Sequence, residues 1–204
     1  MVQQPSDEQL QDPRSLFVLV NKLRPLDPIR WVPEDLVMPE GLENPSGHPI
    51  RAAAAVALSE MAVDASAARV PFRLVSGYRS FDLQRSLFEG YSASDGVSAA
   101  ETYSARPGHS EHQTGLAVDL DDGSGHEFTS AFGETEAGLW LRAHCVNYGF
   151  ILRYERGEQP VVGYIYEPWH FRYVGTEISG DMRARGFMNY EDYVGAEAAP
   201  DYSH

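Results

Sequence analysis

His112 and Asp119 lie seven residues apart with Gly115 between them, and that spacing restricts the backbone that can carry both. Successive side chains of a strand point to opposite faces, so residues an odd number apart cannot share one face of a regular strand. If the two side chains act together the chain bends between them, and Gly115 can take up the conformation a bend requires. A second run, Glu167-Pro168-Trp169-His170, is restricted in another way. Pro168 pushes Glu167 toward extended geometry, which excludes a helical His-Glu-x-x-His arrangement. Strands and turns must carry these four side chains.

Their chemistry is coherent. Two imidazoles and a carboxylate suit a borderline-soft cation, and a second carboxylate stands beside the last imidazole. A catalytic zinc site takes three protein ligands, keeps one position open for water and needs a general base nearby. His112, Asp119 and His170 are the candidate ligands for one Zn²⁺ per chain, and Glu167 is the candidate base. Taken alone, the second run reads sooner as a surface glutamate beside a turn and a core histidine; its conjunction with the first reverses that in favour of the metal.

A third block stands upstream, Ser76-Gly77-Tyr78-Arg79-Ser80 followed by Gln84. With Ser110-x-His112-x-x-Gly115-x-Ala117-x-Asp119 and Glu167-x-x-His170, in that order over roughly residues 17–187, the chain resembles the VanY-type zinc D-alanyl-D-alanine carboxypeptidases. These fall within the wider group of DD-carboxypeptidases, LD-carboxypeptidases and hedgehog-like domains. The resemblance implies removal of the terminal D-alanine from peptidoglycan stem peptides. Glu167 would take a proton from the attacking water and pass it to the leaving amine. Arg79 matches the family's arginine and would meet the oxyanion. Ser76, Gln84 and Ser110 are neutral polar groups suited to positioning a peptide, or else turn and cap residues. LD-carboxypeptidase action on a tetrapeptide, a DD-dipeptidase, a phage-type endopeptidase and a zinc-stabilised binding domain stand as alternatives. Retention of Glu167 counts against the last.

Composition narrows the setting. The 204 residues suit one domain, and 43% hydrophobic content can fill its core. A formal charge of −14 argues against a nucleic-acid partner. No stretch approaches a membrane span, and the opening Met1-Val2-Gln3-Gln4-Pro5-Ser6-Asp7-Glu8 does not read as a signal peptide. The protein is then cytoplasmic, or it acts in the cell envelope with an export signal or anchor outside this sequence. The resemblance favours the envelope. A monomer is expected. Cys145 has no second cysteine to pair with and reads as a small buried residue.

Residues 1–15 read as a flexible lead, 16–187 as the peptidase domain and 188–204 as an acidic tail. The resemblance places an early strand within 16–26, before a proline-punctuated irregular region. Helices are expected over about 50–68, 81–89, 135–148 and 177–185, with a loop or weak helix over 90–106. Strands are expected over 72–76, 116–120, 150–154 and 169–174. Asp121 and Asp122 fall in an acidic turn. The order of elements predicts an α+β domain with helices packed on a small, mostly antiparallel sheet, hedgehog-like by resemblance. His109 adjoins the motif but faces away from His112 in an extended chain, and His48, His126, His144 and His204 lack partners at ligand spacing. Tyr164 and Tyr166 alternate ahead of Glu167, where they could wall a cleft.

Overall fold

The structure, a computed structural model, describes residues 2–202. The chain opens with helix α1 (Asp7–Gln11), a two-stranded hairpin of β1 (Leu36–Val37) and β2 (Ile50–Arg51), and helix α2 (Ala52–Ala67). Then follow β3 (Arg73–Ser76), α3 (Phe81–Asp95), α4 (Val97–Ala100), β4 (Ala117–Asp121), α5 (Glu136–His144), β5 (Phe150–Leu152) and α6 (Gln159–Val162). It closes with β6 (His170–Tyr173), α7 (Thr176–Arg185) and α8 (Tyr190–Val194). The frame is a four-stranded antiparallel sheet in the order β3-β4-β6-β5. This is the expected α+β arrangement.

The alanine-rich run of α2 is helical because small side chains lose little freedom there, and it buries Ala54, Leu58, Met61 and Ala65 against the sheet. Leu74, Val118, Leu120, Phe150 and Phe171 supply the sheet side of that core. Every residue of β4 is buried, as befits a central strand covered on both faces. Ser80 caps α3 by accepting from the Leu83 amide, as its position before Phe81 suggested. Helix α5 passes into a 3-10 turn over Cys145–Tyr148 and ends at Gly149, which is left-handed with φ +83°.

Four segments differ from expectation. Within 1–15, Ser6 and Gln9 form a reciprocal capping box that starts α1, whose Leu10 is buried. Residues 16–26 form no strand, because the Arg172 side chain takes the Leu16 and Val18 carbonyls that a neighbouring strand would otherwise bond. Helix α3 runs past its expected end at Glu89 to Asp95, and α4 follows after a turn at Gly96, so the first part of 90–106 takes the helical of its two expected forms. Beyond residue 187, α8 buries Tyr190 and Tyr193 against Ile178 and Met182 of α7 and Glu191 against Arg153, so this stretch is packed rather than trailing. Asp121, expected in a turn, ends β4 fully buried with Arg73 2.9 Å away. Met1 of the expected lead and Ser203 and His204 of the expected tail lie outside the described residues.

Candidate active site

Three strands deliver the site. β3 runs into Gly77-Tyr78-Arg79, where a Cβ on Gly77 would meet the Pro49 carbonyl oxygen at 2.8 Å, so only glycine allows this close passage. Between His112 and Asp119 the chain forms a 3-10 turn, Glu111–Thr114, and Gly115 then takes the left-handed conformation at φ +69°. This is the bend that the odd spacing demands. It leaves His112 on the turn and Asp119 within β4, directly opposite His170 in the β4–β6 register. Glu167 and His170 flank a tight reversal at Pro168, closed by a hydrogen bond from the His170 amide to the Glu167 carbonyl at 3.1 Å.

The side chains converge. His112 Nε2 lies 3.1 Å from Asp119 Oδ2, and His170 Nδ1 lies 3.1 Å from Asp119 Oδ1. The two rings meet edge to face with centroids 5.0 Å apart. Their outer nitrogens are also held. His112 Nδ1 stands 2.7 Å from the Gly77 carbonyl, which can only accept, so that nitrogen carries the proton and Nε2 turns a lone pair inward. His170 Nε2 faces Glu111 Oε2 at 3.4 Å, and an ionised carboxylate likewise can only accept. The two imidazoles therefore present opposite ring nitrogens to one carboxylate.

That arrangement fits a cation. Among the described residues His112 Nε2 and Asp119 Oδ1 are buried without a hydrogen-bond partner, a costly state unless a positive charge satisfies them. One ligand atom from each of His112, Asp119 and His170 lies within 4.8 Å of the others. A set of two nitrogens and one oxygen suits Zn²⁺.

Comparison with known proteins agrees with this geometry. The family model for VanY, D-alanyl-D-alanine carboxypeptidase, matches residues 47–176. The chain belongs to the VanY family. It is 41% identical over 177 residues to YodJ of Bacillus subtilis (strain 168), an alignment covering 84% of this chain and 64% of that protein, so the chain spans just under two thirds of that relative. Among solved structures it is similar to the LdcB LD-carboxypeptidase, with a TM-score of 0.83 and 37% identity over 91% of this chain and 88% of that one. It is also similar to a mutant of the vancomycin resistance D,D-pentapeptidase VanY in complex with Zn(II), with a TM-score of 0.71 and 31% identity over 87% and 97% of the two chains.

The electrostatics of this VanY-family site differ at each group. Burial, with Arg79 adding to it, pushes His112 down to about 4, which keeps it neutral. Burial alone would lower His170 too, but Asp119 and Glu111 on either side raise it to about 9, a sign that the surroundings favour positive charge here. Burial would raise Asp119, yet the two imidazoles hold it well below the usual carboxylate range. Glu167, 3.9 Å from His170 Nδ1, is pushed by burial up to about 8, and a cation bound beside it would favour its ionised form.

The structure brings His112, Asp119, His170, Glu167 and Arg79 together. An Arg79 guanidinium nitrogen stands 3.8 Å from Asp119 Oδ2, and another donates to Gln84 Oε1 at 3.0 Å. Gln84 also donates to Ser104 Oγ at 3.3 Å and to the Ala105 carbonyl at 2.8 Å. It borders the pocket, but its amide holds Arg79 and the 104–105 loop in place rather than lying free for a peptide. Ser110 lines the same pocket. Ser76 is buried in β3 directly opposite Asp119 in the β3–β4 register.

Tyr164 is buried on that wall, whereas Tyr166 turns away under the Arg156 guanidinium, 4.1 Å from its ring centroid. His109 faces elsewhere, with Nδ1 2.8 Å from the Asn21 carbonyl, and His144 stacks on Trp140. Two wall residues were not legible in sequence. Glu111 is only the unassigned position between Ser110 and His112 in the motif, and Tyr154 only the last residue of an expected strand. Only the tertiary structure, which buries both side chains on the pocket wall, reveals them.

Proposed function

We propose that this chain is a zinc-dependent D,D-carboxypeptidase that removes the C-terminal D-alanine from peptidoglycan stem peptides outside the cytoplasmic membrane. The observation that carries this reading is the convergence of His112 Nε2, Asp119 and His170 Nδ1 beside a buried Glu167 in a chain of the VanY family. Bound Zn²⁺ would supply Lewis acidity and bring the pKa of a water to about 7. Glu167 accepts a proton at its carboxylate and returns it to the departing amine. Arg79, braced by Gln84, supplies positive charge at the pocket, and its buried Nε has no partner among the described residues. That charge suits a developing oxyanion or the terminal carboxylate of the substrate. In a chain of net charge −14 such a local cation is needed to receive an anionic peptide end.

One observation favours a second reading. The match to LdcB, an LD-carboxypeptidase, has the higher TM-score, 0.83 against 0.71 for VanY. L,D action on a stem tetrapeptide would use the same residues. The deciding experiment incubates the zinc-loaded protein with a stem pentapeptide, its C-terminal amide, the tetrapeptide and free D-Ala-D-Ala, and identifies products by mass. Single D-alanine release from the pentapeptide, with much slower cleavage of the amide and the dipeptide, supports the D,D reading. Processing of the tetrapeptide alone replaces it with the L,D reading, and equal cleavage of the amide points to an endopeptidase.

A further inference from the structure

Behind His170 lies a closed set of four charges that the proposed chemistry does not use. Glu111, Arg153, Arg172 and Glu191 all have fully buried side chains. Arg153 Nε and one Arg172 guanidinium nitrogen both donate to Glu111 Oε1, each at 2.9 Å. That leaves Glu111 Oε2 turned toward His170 Nε2. The other two Arg153 nitrogens grip Glu191 of α8 as a fork at 2.8 and 2.7 Å, and Asn21 adds a third bond to that carboxylate at 3.1 Å. Arg172 is anchored in turn on the Leu16 and Val18 carbonyls. Two acids and two bases balance, and the one acceptor not consumed within the set meets a candidate ligand.

We propose that Glu191, acting through Arg153 and Glu111, sets the ring orientation of His170, so that residues beyond the family-matched 47–176 are positioning residues for the site. The inference rests on the zinc reading above. An imidazole can rotate about its Cβ–Cγ bond, and only Nδ1 aimed at Asp119 joins the ligand set. The Glu111 carboxylate fixes that choice by demanding the Nε2 proton, and Tyr154, tilted against the ring at 4.7 Å between centroids, limits its swing. A purely structural role is a weaker account. A buried ion pair contributes little net stability over apolar packing of equal volume, so four buried charges ending on a ligand call for another reason.

The test uses Glu111→Gln and Glu191→Gln, with Met182→Ala as a control that loosens the packing of α7 beneath α8 without touching a charge. Each protein is first confirmed folded from its near-ultraviolet dichroism. Zinc affinity is then measured by competition with a chelator, and the d–d absorption is recorded with Co²⁺ in place of zinc. Glu111→Gln is expected to weaken zinc binding about 10- to 100-fold and to shift the Co²⁺ bands. Glu191→Gln is expected to act in the same direction by a smaller factor, while Met182→Ala lowers thermal stability with affinity and spectrum unchanged. Wild-type affinity and an unaltered spectrum in both charge variants overturn the inference and leave the zinc reading intact. If Glu111→Gln does not fold, Glu191→Gln alone decides on the same criteria. A wild-type protein that binds neither Zn²⁺ nor Co²⁺ overturns both.

Discussion

Asp119 and His170 are direct cross-strand partners, in register on the adjacent antiparallel strands β4 and β6. The pairing puts a carboxylate and an imidazole on one face of the sheet at a separation fixed by backbone hydrogen bonds rather than by loops. Rigid strands hold metal-binding geometry more accurately than mobile connections do. His112 completes the group from the turn before β4, and Glu167 enters from the reversal before β6.

Removing one candidate ligand takes away one of the three protein donors of the site. His112→Ala or His170→Ala is expected to hold well under one equivalent of zinc after dialysis, measured by elemental analysis. Chelation of the wild-type protein is expected to abolish peptide hydrolysis, and added Zn²⁺ to restore it. A full equivalent retained in either variant counts against the ligand set.

Glu167→Gln keeps the shape and hydrogen-bonding capacity of the side chain but cannot take a proton. Near-normal zinc content with turnover lower by about 10²-fold or more is expected. Undiminished turnover moves the base to another residue.

Arg79→Lys preserves the charge but loses the planar fork that reaches Gln84 on one side and the pocket on the other. Turnover is expected to fall more than zinc affinity does, as judged by steady-state kinetics beside a chelator titration. Loss of the metal instead makes Arg79 a structural residue.

Gly115→Ala tests the bend itself. An alanine at φ +69° is strained by about 1–2 kcal/mol, and its Cβ would stand 2.9 Å from Arg51 Cγ. The unfolding midpoint is expected to fall by roughly 2–8 °C in a thermal scan. An unchanged midpoint shows that the turn relaxes into another conformation without cost.

Much of this site was legible because its constraints are local. Pro168 excludes helix at Glu167, an odd spacing with a glycine inside demands a bend, and Ser80 announces the start of α3; each acts over a few residues through steric or hydrogen-bonding rules that the chain carries with it. The blocks around Arg79, His112 and His170 pointed in this way to one pocket and one donor set. What the sequence could not express was which distant groups consume one another's bonding capacity. Gln84 looks free until its amide is seen bound to Arg79 and the Ala105 carbonyl, and residues 16–26 look like a strand until Arg172 claims their carbonyls. Glu111 is an unassigned position in its motif and Glu191 one charge of an expected acidic tail, and only the tertiary fold brings two arginines to bury and neutralise them. Local rules decided the turns and the ligand types, whereas the burial of charge depends on long-range pairing, because its cost is set by the partners that the folded chain supplies.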